Sequence, residues 1–265
     1  YGKDTLYWDF GTSPILTSRH LIVALMRKGN SWLLAFEPKS GEVAWKKERN
    51  YRTPPECDHS YATPTLIEHE GKEAILVWGA ERLSAHSAED GEMHWVSTGF
   101  NPKQKKNWVV VGSQVVAGDV AVVPYGRGTH MKGIRMGGNG DVTESHLLWA
   151  RTDTGCFVPS PAVAHGKVYV LRDRGEVHCI DPGTGKSHWE DAFPRASSSF
   201  YASPTVAGTK LYAPREDGVI LIAEVDKGFE YLGAFDMGER VIASPVPIRD
   251  RILIRGERNL LCFGG

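Results

Sequence analysis

The run I-D-P-G-T-G-K-S-H-W at residues 180–189 contains G-T-G-K-S, the residue types with which a nucleotide-binding loop wraps phosphates. That chemistry needs G-x-x-x-x-G-K-[ST] followed by a helix, so that backbone amides and a helix N-terminus face the anion. Ile180 stands where the first glycine belongs, and Ser187-His188-Trp189 leads on to a proline rather than into a helix. The stretch therefore reads as a turn. Cys57, Asp58 and His59, with Cys156 and His130, have the ligand types of a soft metal site. Lone thiols and solvated histidines are the commoner use of such residues, and no metal site is expected. The four cysteines, Cys57, Cys156, Cys179 and Cys262, form no C-x-x-C pair, and their even number permits disulfides without requiring them. No serine lies in G-x-S-x-G, so no hydrolytic nucleophile is marked. No catalytic residue is assigned.

The turn at Gly185 belongs to a repeat. From Ser160, S-P-A-V-A-H-G-K-V-Y-V-L-R-D-R-G-E-V-H-C-I-D-P-G-T-G-K-S-H-W divides into four β-prone runs separated by H-G, D-R-G and P-G-T-G turn signals, a four-stranded antiparallel meander. Ser13-Pro14 and Thr63-Pro64 open further copies, ending A-F-E-P-K-S-G-E-V-A-W and A-H-S-A-E-D-G-E-M-H-W. In all three a small residue (Ala35, Ala85, Cys179) is followed by a glycine (Gly41, Gly91, Gly185) and then a tryptophan (Trp45, Trp95, Trp189). Three weaker copies begin at Ser113, Ser203 and Ser244. The first carries an insertion through G-G-N-G-D-V-T-E and ends at Trp149. The second ends near Tyr231, which stands in for the tryptophan, and the last stops at L-L-C-F-G, one strand short.

A period falling from 50 to 41 residues, with four strands per unit, predicts an all-β chain, a β-propeller with six repeat units. The terminal tryptophan is expected to fill the wedge between neighbouring blades, and the glycines to take positive φ. Trp8 either completes the last unit or ends a blade that lies upstream. Lys+Arg 31 against Asp+Glu 32 gives a net charge of only -1, so no global field points to nucleic acid. No run of eighteen or so apolar residues marks a membrane span. The chain does not begin with Met, so further N-terminal residues, such as a signal peptide, are expected before Tyr1.

The pattern A-x-D-x-x-T-G-x-x-x-W, present as C-I-D-P-G-T-G-K-S-H-W and A-F-E-P-K-S-G-E-V-A-W, resembles the tryptophan-docking repeat of propellers related to the pyrroloquinoline-quinone (PQQ) enzymes. The resemblance runs over nearly the whole chain. It implies a single propeller domain over residues 1–265, a piece of a seven- or eight-bladed protein lacking N-terminal sequence, with a periplasmic or otherwise extracytoplasmic location. It is strongest toward the bacterial members of unassigned role. The dehydrogenases of the family carry an adjacent cysteine pair and a calcium ion; no Cys-Cys occurs here, and Asp58 and Asn139 lack the flanking residues that would identify them as ligands. The expectation is a non-catalytic scaffold without cofactor that binds a protein or an anionic ligand. The alternative is a PQQ- and calcium-dependent dehydrogenase.

Binding residues are expected on the face bearing the turns between second and third strands. Each unit places one arginine there: Arg27, Arg82, Arg127, Arg172, Arg215 and Arg255. Arg52, His59 and His130 lie on or beside the long excursions 46–62, 96–110 and 126–145, where function is most expected. The competing reading pairs the arginines with Glu81, Asp173, Glu216, Asp217 and Glu257 beside them, as ties within the fold. Cys179 and Cys262 take the small-residue position and are read as packing. His20, His86, His94, His165, His178 and His188 are likewise read as structural.

Overall fold

A computed structural model describes residues 10–264, in which the strands form six sheets and no helix appears. Trp8, expected to complete the last repeat or end one upstream, lies outside the described residues. Of the described residues, 10–114, 125–127 and 134–148 form one compact unit, and 115–124, 128–133 and 149–264 another. The first unit contains the first sheet (Ile15–Leu16, Leu21–Leu25, Trp32–Phe36, Val43–Glu48) and the second (Thr65–His69, Lys72–Gly79, Arg82–Ser87, Met93–Ser97). The second unit contains the fourth (Ala162–Ala164, Lys167–Leu171, Glu176–Ile180, Ser187–Ala192), the fifth (Thr205–Ala207, Lys210–Pro214, Val219–Glu224, Glu230–Asp236) and the sixth (Val246–Ile248, Arg251–Arg255, Leu260–Gly264). The third sheet consists of Val115–Ala117, Val120–Tyr125, His130–Arg135 and Leu147–Arg151.

The repeat has a register. Ala35 lies opposite Trp45, Ala85 opposite Trp95 and Cys179 opposite Trp189, and a one-residue bulge follows each pair. Tyr231 faces Ala223 in the fifth sheet, as its role of stand-in requires, with the bulge displaced by one pair. The glycines close the same turn three times. Gly41 N donates to Glu37 O, Gly91 N to Ser87 O and Gly185 N to Asp181 O, at φ of 73°, 76° and 70°. That turn is what G-T-G-K-S builds, and Asp181 Oδ1 accepts from Thr184 N and Oγ1 at 2.8 Å to hold it.

Gly91 and Gly185 meet a second demand. Trp45 Nε1 donates to Ala88 O of the second sheet at 3.3 Å, and a Cβ on Gly91 would lie 2.6 Å from its ring. Trp149 repeats this on the fourth sheet, donating to Pro182 O at 2.7 Å, with a Cβ on Gly185 only 2.4 Å from its ring. The third repeat's own small residue is Gly133, where a Cβ would lie 2.2 Å from Trp149 Nε1.

The Ser-Pro and Thr-Pro openings also acquire a cause. Ser13 N donates to Thr63 Oγ1 and Thr63 N to Ser113 Oγ at 3.1 and 3.0 Å. In the second unit Ser160 N donates to Ser203 Oγ and Ser203 N to Ser244 Oγ at 2.9 and 3.0 Å. Each of these hydroxyls thus stitches its repeat to the one before. Thr63→Val is expected to lower the unfolding free energy by about 1 kcal/mol, the net worth of one such bond, read as a shift of the urea midpoint at unchanged slope.

The insertion in the third repeat departs from the expected loop. Within 126–145, His130–Arg135 is the third strand of its sheet, while Gly140–Asp141 crosses to pair in parallel with Trp95 and Val96, making the second sheet five-stranded. Val142 N donates to Val96 O, and Thr98 N and hydroxyl both meet Thr143 Oγ1. The extra strand covers an edge that would otherwise present unpaired backbone groups. The other two excursions also begin inside strands, at Val43–Glu48 and Met93–Ser97, so their free parts are shorter than expected.

Candidate functional site: a braced basic loop cluster

In the first unit the connections 49–62 and 98–110 meet the turns at 80–82 and 125–127. Main-chain bonds join the two connections, Tyr61 N to Val110 O at 2.9 Å and Asn107 N to Pro55 O at 3.2 Å, and Ser60 N donates to Met26 O of the first repeat at 3.5 Å. The backbone is unusual here, with Glu56, Ala80, Glu81, Gln104, Asn107 and Arg127 all at φ of 50–66°. Such conformations persist only where surrounding bonds determine them.

Those bonds centre on Asn101, which is buried. Its Oδ1 accepts from Lys105 N at 2.8 Å; its Nδ2 donates to Lys105 O at 2.8 Å and to Glu81 Oε1 at 2.6 Å. The Cys57 thiol adds a bond to Lys105 O at 3.4 Å. The loop carrying Lys103, Lys105 and Lys106 is thereby fixed from beneath while those lysines stay exposed. Arg127, also exposed, donates to Asn107 O at 3.2 Å, and Arg52 is exposed on the neighbouring connection. The same region carries an aromatic chain, with Trp78 4.5 Å from Phe100, Phe100 5.3 Å from Tyr125 and Tyr125 6.2 Å from Trp108.

A second brace is Arg49, 1% exposed. It donates to Gly79 O and Arg82 O at 2.9 Å and to Ser84 Oγ at 3.0 Å. Burial lowers its pKa to about 10. Ser84 Oγ in turn contacts His86 Nε2 at 2.9 Å, and His86 Nδ1 lies 3.1 Å from Gly91 O, which fixes the proton on Nδ1. Burial first, then Arg49, pushes the pKa of His86 down to about 3, so the ring is neutral. The guanidinium of Arg82 lies 4.1 Å from the centre of the Tyr51 ring.

The structure sorts the arginine row by environment. Arg27 is buried, its backbone clasped by Ser31, and His59 is buried with Nδ1 3.0 Å from Asp58 Oδ1. Both are buried rather than facing solvent. In the second unit Arg215 chelates Asp217 at 2.9 and 3.0 Å, as the structural reading expects. Glu81 and Glu216 depart from that reading, going to Asn101 and to Arg240. Arg172 is half-buried, Arg255 exposed, and His130 Nδ1 lies 2.6 Å from Thr129 Oγ1. Sequence reasoning does not single out Asn101, although an Asn-Pro pair at the mouth of a loop is a turn signal.

All four thiols are free. Burial pushes Cys57 up to about 11 and Cys156 higher still, which keeps both protonated and poor metal ligands. Among the described residues no group of three or more His, Cys, Asp and Glu side chains is disposed to hold a metal ion. No helix of the described residues is long and apolar enough to cross a membrane.

Four-stranded antiparallel sheets in tandem, tied to one another within each unit by their opening hydroxyls, define the class of protein as a β-propeller. Repeat, register and fold are similar to those of PQQ-like repeat propellers. Residues 141–229 match the family model described as outer membrane protein assembly factor BamB. Among solved structures, BamB from Moraxella catarrhalis is similar at a TM-score of 0.70 and 15% identity, over 97% of this chain and 72% of that one. The computationally designed Ika8 protein is similar at a TM-score of 0.68 and 9% identity, over 97% of this chain and 71% of that one. No curated protein sequence matches the chain.

Proposed function

We propose that the protein is a non-catalytic propeller scaffold that binds an acidic segment of another protein through the loop cluster of its first unit. One observation carries this reading: Arg52, Lys103, Lys105, Lys106 and Arg127 are exposed on loops whose backbone is pinned by buried Asn101 and Cys57 and half-buried Glu81. Cations on a fixed frame lose little backbone entropy on binding, and their field favours an acidic partner. The half-buried Trp108 and Tyr125 add apolar area among the charges, as binding hot spots do. Likeness to a protein described as an outer membrane assembly factor supports a protein partner and an extracytoplasmic location.

The test is fluorescence anisotropy with a labelled glutamate-rich peptide containing one tryptophan. Binding is expected at about 50 mM salt and should weaken strongly by about 500 mM, as screened charge attraction does. The variant K103E/K105E/K106E, altered only at exposed side chains, is expected to bind about tenfold more weakly or worse with its thermal midpoint nearly unchanged. Equal affinity for the variant, or binding indifferent to salt, would rule the loop cluster out.

A further inference from the structure

The insertion of the third repeat lies over the outer edge of the second sheet as a strap. Gly140–Asp141 pairs in parallel with Trp95 and Val96, Val142 N donates to Val96 O at 2.9 Å, and Thr98 N donates to Thr143 Oγ1 at 2.9 Å. The cover is slight, two strand residues in parallel register against the five of Met93–Ser97. The strand beneath gives a reason for it. Among the described residues the other fourth strands, V-A-W-K-K-E, L-L-W-A-R, S-H-W-E-D-A and E-Y-L-G-A-F-D, all carry Asp, Glu, Lys or Arg, whereas M-H-W-V-S carries none of these. Charge blunts an open edge, and where it is missing the strap stands in.

The strap is fastened next to a pair of histidines. Asn139 Nδ2 donates to Glu70 Oε1 at 3.4 Å, longer than the usual range of about 2.7–3.2 Å. The same oxygen lies 3.9 Å from His69 Nε2, a buried ring nitrogen without a hydrogen-bond partner. His69 stacks on His94, with ring centres 4.4 Å apart, and His94 adjoins Trp95, with which the strap pairs. Contacts therefore run from the strap through Glu70 and both rings to the strand that the strap covers. The other groups near the rings are Lys72, Asp90 and His86. Asp141 of the strap is engaged elsewhere, accepting from Thr143 N at 2.9 Å.

Burial first, then His69, holds His94 below the ordinary histidine value of 6.5, with Asp90 and Glu70 opposing, so that ring is neutral at about pH 7. A proton entering the stack changes the balance at Glu70. The carboxylate then faces a cationic ring with a free donor, and a charge-assisted bond outweighs a long neutral one. We propose that residues 137–143 are an acid-released strap over the edge Met93–Ser97, in which a proton taken up by the His69–His94 stack draws Glu70 off Asn139. The released form holds the proton more tightly, because Glu70 then bonds to the ring. By linkage the fastened form is fully favoured above about pH 6.5 and loses ground as the pH falls below it. The device is separate from the loop cluster, since it sits at the Lys72 end of Lys72–Gly79 and the turn at 80–82 follows the other end.

Two amides report the strap directly, Val142 N and Thr98 N, because each donates across it. Their hydrogen exchange is measured by NMR at about pH 7.5 and about pH 5, as protection relative to an unstructured chain so that the pH dependence of exchange itself cancels. Protection of both is expected to fall by about fivefold or more on acidification, the low end of ordinary coupling between two sites. Amides of Lys167–Leu171 in the fourth sheet should keep theirs. Glu70→Gln, at an exposed side chain, leaves an acceptor for Asn139 but removes the charge, so the fall should disappear. Asn139→Ala, also at an exposed side chain, should show at the higher pH the weaker protection of the acidified protein. Equal protection at the two pH values in the unaltered protein would overturn the proposal. An undiminished fall in Glu70→Gln would do the same, since the carboxylate would then have no part in the release.

Discussion

Gly185→Ala is expected to destabilise the protein by about 3 kcal/mol or more, although it adds a single methyl group. Two costs combine. An L-residue at φ of 70° costs about 1 kcal/mol relative to glycine. The new Cβ would also lie 2.4 Å from the Trp149 ring, which is held by its bond to Pro182 O and cannot retreat without losing it. Overpacking of this kind adds roughly 1–3 kcal/mol. Gly166→Ala separates the two costs, because Gly166 has φ of 69° and nothing lies within 4 Å of where its new methyl group would stand. That variant should lose only about 1 kcal/mol. Equilibrium urea unfolding of both proteins measures the difference. Equal losses would mean that the tryptophan ring adjusts freely and that its contact with the neighbouring turn is incidental.

The second large effect is expected at Arg49. Arg49→Met keeps much of the buried length but leaves Gly79 O and Arg82 O without their donor and frees one side of Ser84. At about 1–3 kcal/mol per stranded buried acceptor, the loss should reach about 3–5 kcal/mol. The variant also changes the acid limb of stability. His86 has a folded-state pKa of about 3, below the ordinary 6.5, so the unfolded chain takes up the proton first. Its contribution is fully present above about pH 6.5 and is lost progressively as the pH falls toward about 3. Arg49 is one cause of that depression, so removing it should raise the pKa of His86 and narrow the window. Histidine ring resonances followed by NMR across this range report the shift directly. An unmoved His86 titration in a folded Arg49→Met protein would show that burial alone governs the ring.

The fold was legible because its cause is repeated. Glycine at the turn, a small residue and a tryptophan recur at fixed offsets, and each answers a local demand: positive φ, a close register pair and a flat apolar ring. Even the substitution of Tyr231 for tryptophan could be read, since spacing alone placed it near the end of its repeat, and pairing with Ala223 follows from the same register. The site was less legible. The six arginines look equivalent in sequence, yet Arg27 is buried, Arg215 is tied to Asp217 and Arg127 is exposed with a bond to Asn107 O. Their differences arise from which connection happens to cover each turn.

The sequence by itself determined the class of fold and the number of repeat units, because β periodicity, turn chemistry and tryptophan spacing are local properties of the chain. Tertiary structure decided what those local rules leave open. It drew Gly140–Asp141 across to the second sheet and set Asn101 beneath the lysine loop. Each depends on contacts between residues distant in sequence, where hydrogen bonding and burial are settled only once the sheets have come together.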